Sequence, residues 1–158
     1  PYGLSAQIDV SVPRAQEFID SYFDRYPRVR EFVGRTVDSA RQDGFVRTLA
    51  GRRRRITGIR GSGTVRSAAE RIAVNSVIQG SAADMIKLAM ITINDELQDV
   101  SEDSSMLLQI HDELVFEVPE KELDHVRDFI VDRMANAMKL SVPVRVDVAT
   151  GKDWEQAK

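Results

Sequence analysis

The chain has 158 residues, 42% hydrophobic and 30% charged, which fits one soluble globular domain able to bury a core. It has no cysteine, excluding disulfides and thiolate metal sites; no apolar run approaches membrane-spanning length, no signal-like segment opens it, and no membrane partner is expected. The formal net charge of -3 hides an asymmetry, for residues 1–71 carry 14 basic and 8 acidic side chains and residues 72–158 carry 8 and 17.

After Tyr2-Gly3-Leu4-Ser5, a helix is predicted to start near Val12-Pro13, because proline fits a first helical turn. Phe18, Ile19, Tyr22 and Phe23 continue it at helical spacing until Pro27. A second helix follows from about Arg28 to Gln42, with Val29, Phe32, Val33, Thr36, Val37 and Ala40 as its inward stripe, and ends at Asp43-Gly44. Phe45 to Leu49 reads as a strand that turns at Ala50-Gly51 into the basic run Arg52 to Ile56. Residues 57–64, with three glycines, read as a loop; Gly61-Ser62-Gly63 lacks the strand and the Lys-Ser/Thr pair of a phosphate loop.

From about Ser67 to Leu97 apolar residues recur at helical spacing, with a potential break near Gly80-Ser81. Two apolar runs, 106–110 and 114–118, read as buried strands joined through His111-Asp112-Glu113. Pro119 opens a further helix carried by Leu123, Val126, Ile130 and Met134, and the alternating Val142, Val144, Val146 and Val148 read as a half-buried strand. His125 is expected on the surface and Trp154 against the core. The sum is an α+β layout in which helices back an antiparallel sheet.

Three features carry chemistry. The turn His111-Asp112-Glu113 sets an imidazole and two carboxylates on the rim of an apolar floor, where charge needs water, a basic partner or a cation. Paired acids on a strand turn suit Mg²⁺, which takes oxygen ligands and assists phosphoryl transfer. Arg71, Asn75 and Gln79, four residues apart, share a helix face of donors suited to phosphates and minor-groove acceptors, opposite a side assigned to Ile72, Ala73, Val77 and Ile78. Between Arg41 and Arg71 nine arginines meet only Asp43 and Glu70, an excess that favours a polyanion.

Tyr2-Gly3-Leu4-Ser5, Gly44 to Arg55, Glu70 to Asn75, Gln79 to Asp84 and Gln109 to Glu113 resemble, in this order, the C-terminal part of a family A DNA polymerase of the bacterial DNA polymerase I type. The Trp154 ending also fits, and the resemblance covers essentially the whole chain. It implies a helical fingers portion with a basic hairpin over residues 1–66 and the C-terminal half of an antiparallel palm over 67–158. Asp112 would be a catalytic metal-ligand aspartate, Glu113 the supporting carboxylate, and His111 a neighbour of the primer terminus. Arg71, Asn75 and Gln79 would contact primer-template DNA, and Tyr2 would occupy the templating-base position in the nucleotide pocket.

The implied partners are primer-template DNA, deoxynucleoside triphosphates and a missing N-terminal part of the same polypeptide. The implied cofactor is Mg²⁺, two ions in the complete site, and the implied setting is the bacterial cytoplasm. The family's first motif, with the other metal aspartate, is absent, as are the front of the fingers helix and the thumb, so the isolated chain is expected to be inactive. Two competing readings are a non-catalytic nucleic-acid-binding module and a metal-dependent phosphohydrolase. The first has no use for Asp112-Glu113, and the second lacks further histidine or aspartate ligands.

Overall fold

The computed structural model describes residues 1–157. The elements are α1 (Tyr2–Ile8), α2 (Val12–Arg25), α3 (Pro27–Asp43), β1 (Phe45–Arg47), β2 (Arg53–Arg55), α4 (Gly63–Val100), β3 (Ser105–Ile110), β4 (Glu113–Glu117), a 3₁₀ turn (Glu120–Glu122) and α5 (Leu123–Ala135). They form two compact units, Pro1–Ile78 and Gln79 onward, with a two-stranded antiparallel ribbon in each. The fold is α+β.

In the first unit the helix boundaries follow local chemistry. Ser11 caps α2 by accepting from the Arg14 N–H at 3.4 Å, and Pro13 sits in the first turn, where a missing N–H costs nothing. Gly44 ends α3 in the left-handed conformation, φ 79°, donating its N–H to Ala40 at 2.8 Å. Val29, expected on the inward stripe of α3, is exposed. Tyr2-Gly3-Leu4-Ser5 belongs to a helix of its own, closed at Asp9 with φ 53°. The first core packs Ala40 of α3 and Val46 of β1 against Ile56, Ile59 and the Ala69-Ala73 side of α4.

β1 is shorter than predicted, because Thr48 turns the chain: its carbonyl accepts from Gly51 and its hydroxyl from the Arg52 N–H at 3.1 Å. The predicted loop shrinks as well, since α4 starts at Gly63 and runs unbroken through Gly80-Ser81. Inside a helix that long, one glycine lowers stability by only about 1 kcal/mol. The expectation that nothing reaches membrane-spanning length is corrected here. α4 contains an 18-residue window of mean hydropathy 1.2, long and apolar enough by composition to cross a membrane. Ala69, Ala73 and Val77 supply one core from this helix, and Ala89, Ile93 and Leu97 supply the other.

The second core sets Ile93 and Leu97 against Val126 of α5, with Leu114, Phe116 and Val118 packed on them from β4 and its end. The predicted last strand does not form: residues 142–148 have no ladder partner among the described residues, and Val142 and Val148 are exposed. Alternation marks a chain able to add to a sheet, but a strand exists only where another pairs with it. Trp154, expected on the core, is 51% exposed. His125 is exposed, as expected.

An acidic hairpin tip and a polar helix face

α4 delivers the chain to the hairpin through a hydroxyl-rich turn. Ser101 and Ser104 are buried and share a hydrogen bond of 2.6 Å, and Gln98 Nε2 donates to the Ser104 carbonyl at 3.1 Å. The Ser101 hydroxyl also donates to the Glu122 carboxylate, which is the main reason that this carboxyl is held below the usual glutamate range. These side chains tie the turn together, while the end of α4 itself is met by the Ser101 backbone N–H, which donates to the Leu97 carbonyl at 2.8 Å.

β3 and β4 pair from Ser105↔Glu117 to Ile110↔Glu113, with an irregularity between Met106 and Leu108. The connection is therefore a two-residue turn, His111-Asp112, and Glu113 is the first residue of β4 rather than part of the turn. His111 has φ 53°, one of two non-glycine residues in the left-handed region among the described residues. The favoured two-residue hairpin turns need positive φ at their first position, where Gly, Asn or Asp is ordinarily found. A histidine there costs on the order of 1–2 kcal/mol. Gln109 Nε2 donates to the His111 carbonyl at 2.8 Å and braces the turn.

One side of the ribbon rests on the second core through Leu114 and Phe116. Leu107 and Leu108, expected in a buried strand, are exposed: Leu107 lies unpaired at the irregularity, and Leu108, opposite Val115, is on the face away from the Phe116 side that meets the core. His111, Asp112 and Glu113 are all exposed at the tip. Among the described residues, neither carboxylate there has a hydrogen bond or an ion pair.

Nearby cations in sequence are engaged elsewhere. Arg133 donates to Glu96 at 2.7 Å and also pairs with Asp132, and its acidity is weakened chiefly by Glu96. Arg127 is held by Asp128 and Asp124 with the same effect, Asp128 leading. The donor chemistry of the tip fits a hard divalent cation, but the donor set is short: no group of three or more His, Asp or Glu able to hold a metal occurs among the described residues.

Arg71, Asn75 and Gln79 are all exposed along α4, each about 40° round from the last. The assignment of the opposite side needs correction. Ala73 is buried and Val77 half-buried, but Ile72 is exposed and Ile78 is 57% exposed. Seven residues make nearly two full turns, so Ile78 returns to within about 20° of Arg71. The buried side is Ala69, Ala73 and Ser76, whose hydroxyl folds back onto the Ile72 carbonyl.

The structure thus gathers His111, Asp112 and Glu113 on one tip, and Arg71, Asn75 and Gln79 on one helix face. Tyr2, 78% exposed, stands at the start of α1 in the first unit. Two features escaped sequence reasoning. The left-handed His111 could have been suspected from strands separated by two residues without glycine. The stacking of Arg47 and Arg53 on Phe45, each guanidinium carbon 5.1 Å from the ring centroid, becomes visible only with strand register.

Residues 1–156 match the family model described as DNA polymerase family A. DNA polymerase I of Caldicellulosiruptor bescii is 46% identical over 158 residues, 99% of this chain and 19% of that protein. DNA polymerase I of Mycobacterium tuberculosis is 45% identical over 157 residues, 99% of this chain and 17% of that protein. Among solved structures, the POL domain of Pol1 from M. smegmatis, in complex with DNA primer-template and dNTP, superimposes with a TM-score of 0.94 at 44% identity, over 99% of this chain and 28% of that chain. The chain therefore spans less than a fifth of these curated relatives.

Proposed function

The chain belongs to DNA polymerase family A, and we propose that it supplies the C-terminal part of a DNA-directed DNA polymerase that extends a primer 3′ end with deoxynucleotides in bacterial replication and repair. In this reading residues 1–66 are part of the fingers and residues 67–158 the C-terminal half of the palm. The observation that carries the reading is the hairpin tip: two adjacent unpartnered carboxylates, Asp112 in the two-residue turn and Glu113 opening β4, beside a strained His111 and anchored to a buried core. An uncompensated acidic pair on a rigid support suits a cation-dependent reaction better than a solvated loop, which needs neither strain nor anchor.

Each residue has a role in that reaction. Asp112 would hold Mg²⁺ with Glu113 in support, and His111 would lie beside the primer terminus. When bound, the metal would supply Lewis acidity for phosphoryl transfer. The donors of Arg71, Asn75 and Gln79 hold the duplex through acceptors common to all base pairs, so binding tolerates any sequence. Tyr2 occupies the templating-base position until a nucleotide enters.

One hairpin offers too few carboxylates for two ions, so Asp112 and Glu113 would hold the metal together with a carboxylate from elsewhere in the longer polypeptide. The cytoplasm supplies the deoxynucleotides. The test uses the longer polypeptide containing this chain. Asp112→Asn lowers templated extension by on the order of a hundredfold or more, the scale set by losing a preorganised charge at a reaction centre, with DNA affinity little changed. Glu113→Gln lowers it less, and the isolated 158-residue chain does not extend a primer. Equal, mild effects of both substitutions would return the tip to a solvated turn.

A further inference from the structure

The β3–β4 ribbon is held unevenly. Leu114 and Phe116 of β4, with Val118 at its end, pack on the second core, but among the described residues no β3 side chain belongs to it. A two-stranded ribbon alone is marginally stable in water, and this ladder is interrupted between Met106 and Leu108. The polar cluster at the open end of the ribbon holds what the core does not. Ser101 directly follows α4, Ser104 directly precedes β3, and Glu122 ends the 3₁₀ turn beyond β4.

Proton accounting gives this cluster a direction. The Ser101 hydroxyl has one proton, which it donates to Glu122 Oε2 at 2.5 Å, so the 2.6 Å contact between the two hydroxyls is a bond from Ser104 to Ser101. The sequence of bonds ends on a carboxylate whose other oxygen lies 3.1 Å from Lys121 Nζ. A charged acceptor makes the stronger bond, and bonds in series polarise one another. Gln98 Nε2, on the Ser104 carbonyl at 3.1 Å, ties the same point back to α4. The end of α4, the start of β3 and the turn after β4 therefore meet at one hydroxyl.

We propose that Ser101 is a positioning residue: held between Ser104 and Glu122, its hydroxyl fixes the angle of the β3–β4 ribbon and so the place of Asp112 and Glu113 at the reaction centre. The inference rests on the polymerase reading above and deepens it, for these side chains stand at the end of the ribbon opposite the tip. The ribbon acts as a lever. β3 runs from Ser105 to Ile110, so at about 3.4 Å per residue the tip stands about 17 Å from the cluster. At that reach a tilt of about 5° moves the tip by about 1.5 Å, and about 1 Å of misplacement at a reacting centre costs on the order of a hundredfold in rate.

The experiment uses the longer polypeptide, at a temperature where circular dichroism shows each variant folded. It reads kcat and KM for templated extension, and amide hydrogen exchange across residues 105–117. Ser101→Ala and Glu122→Ala each lower kcat about tenfold, less than full misplacement because β4 stays on the core, while KM for the deoxynucleotide and duplex affinity stay within about twofold. The double variant falls no further than the worse single one, as expected of residues acting as a unit. Exchange in β3 quickens about tenfold in each variant, with α5 unchanged. Ser101→Thr, which keeps the hydroxyl, retains kcat within about twofold. Glu122, half-buried on a 3₁₀ turn, keeps the test open should Ser101→Ala fail to fold. Unaltered kcat in Glu122→Ala, additive losses in the double variant, or a fall in kcat without faster exchange in β3 overturns this inference while extension by the unaltered protein stands. Absence of templated extension by the unaltered polypeptide overturns the polymerase reading, and this inference with it.

Discussion

Ile93 is 0% exposed and stands where α4, α5 and the β3–β4 ribbon meet in the second core. Ile93→Ala deletes Cγ1, Cγ2 and Cδ1 from that contact. At about 0.8 kcal/mol per buried methylene, the transfer loss is about 2.4 kcal/mol. The cavity left behind raises the total to about 2–5 kcal/mol, depending on how far Leu114, Phe116 and Val126 collapse into it. In urea, with a slope of about 1–3 kcal/mol/M, the unfolding midpoint of the chain falls by roughly 1–2 M, read by far-ultraviolet circular dichroism. Ile93→Val costs only about 0.5–1.5 kcal/mol. Ile78→Ala, at a site 57% exposed, stays within about 0.5 kcal/mol of the unaltered chain. Equal losses at Ile93 and Ile78, or no loss at Ile93, would refute the assignment of the core and with it the anchoring of the acidic tip.

Further outcomes follow from the same geometry. In the longer polypeptide, Arg71→Ala lowers the salt slope of duplex binding by about 0.9 at most, whereas Gln79→Ala leaves the slope unchanged and slows extension; wild-type behaviour of both would leave that helix face merely solvated. His111→Val lowers stability relative to His111→Gly by at least about 1 kcal/mol in urea unfolding, because a β-branched residue resists positive φ; equal stabilities would contradict the left-handed turn. Glu122 has its carboxyl held below the usual range, so its stabilisation is complete above the ordinary glutamate value and is lost as pH falls through the depressed one. Glu122→Gln accordingly lowers thermal stability near neutral pH and converges with the unaltered chain in acid; a difference constant with pH would refute the Ser101 contact as its cause.

Helices were the most legible part of the sequence, for physical reasons. Pro13, Pro27 and Gly44 act within a turn of where they stand, so α2 and α3 begin and end close to where local chemistry puts them. The inward side of α4 was harder. Ile78 looks like a core residue by type, yet helical phase returns it to the polar side, and phase accumulates error over a 38-residue helix. Strands depend on partners distant in sequence. The 106–118 hairpin was readable because its partner is adjacent, whereas 142–148 has the alternation and no partner. At the tip, residue chemistry was visible from His111-Asp112-Glu113, but the backbone conformation of His111 is a property of register and could be seen only in three dimensions.

The arginine ribbon has a consequence for covalent regulation. Every basic side chain in the first unit is arginine, and the lysines are Lys87, Lys121, Lys139, Lys152 and Lys158. Acylation, ubiquitin attachment and amine-directed labels react with primary amines, which a guanidinium is not. Any such mark on a side chain of this chain therefore falls in the acidic second unit, where removing a lysine charge makes an already negative region more so. The charge around Phe45 stays constant through that chemistry.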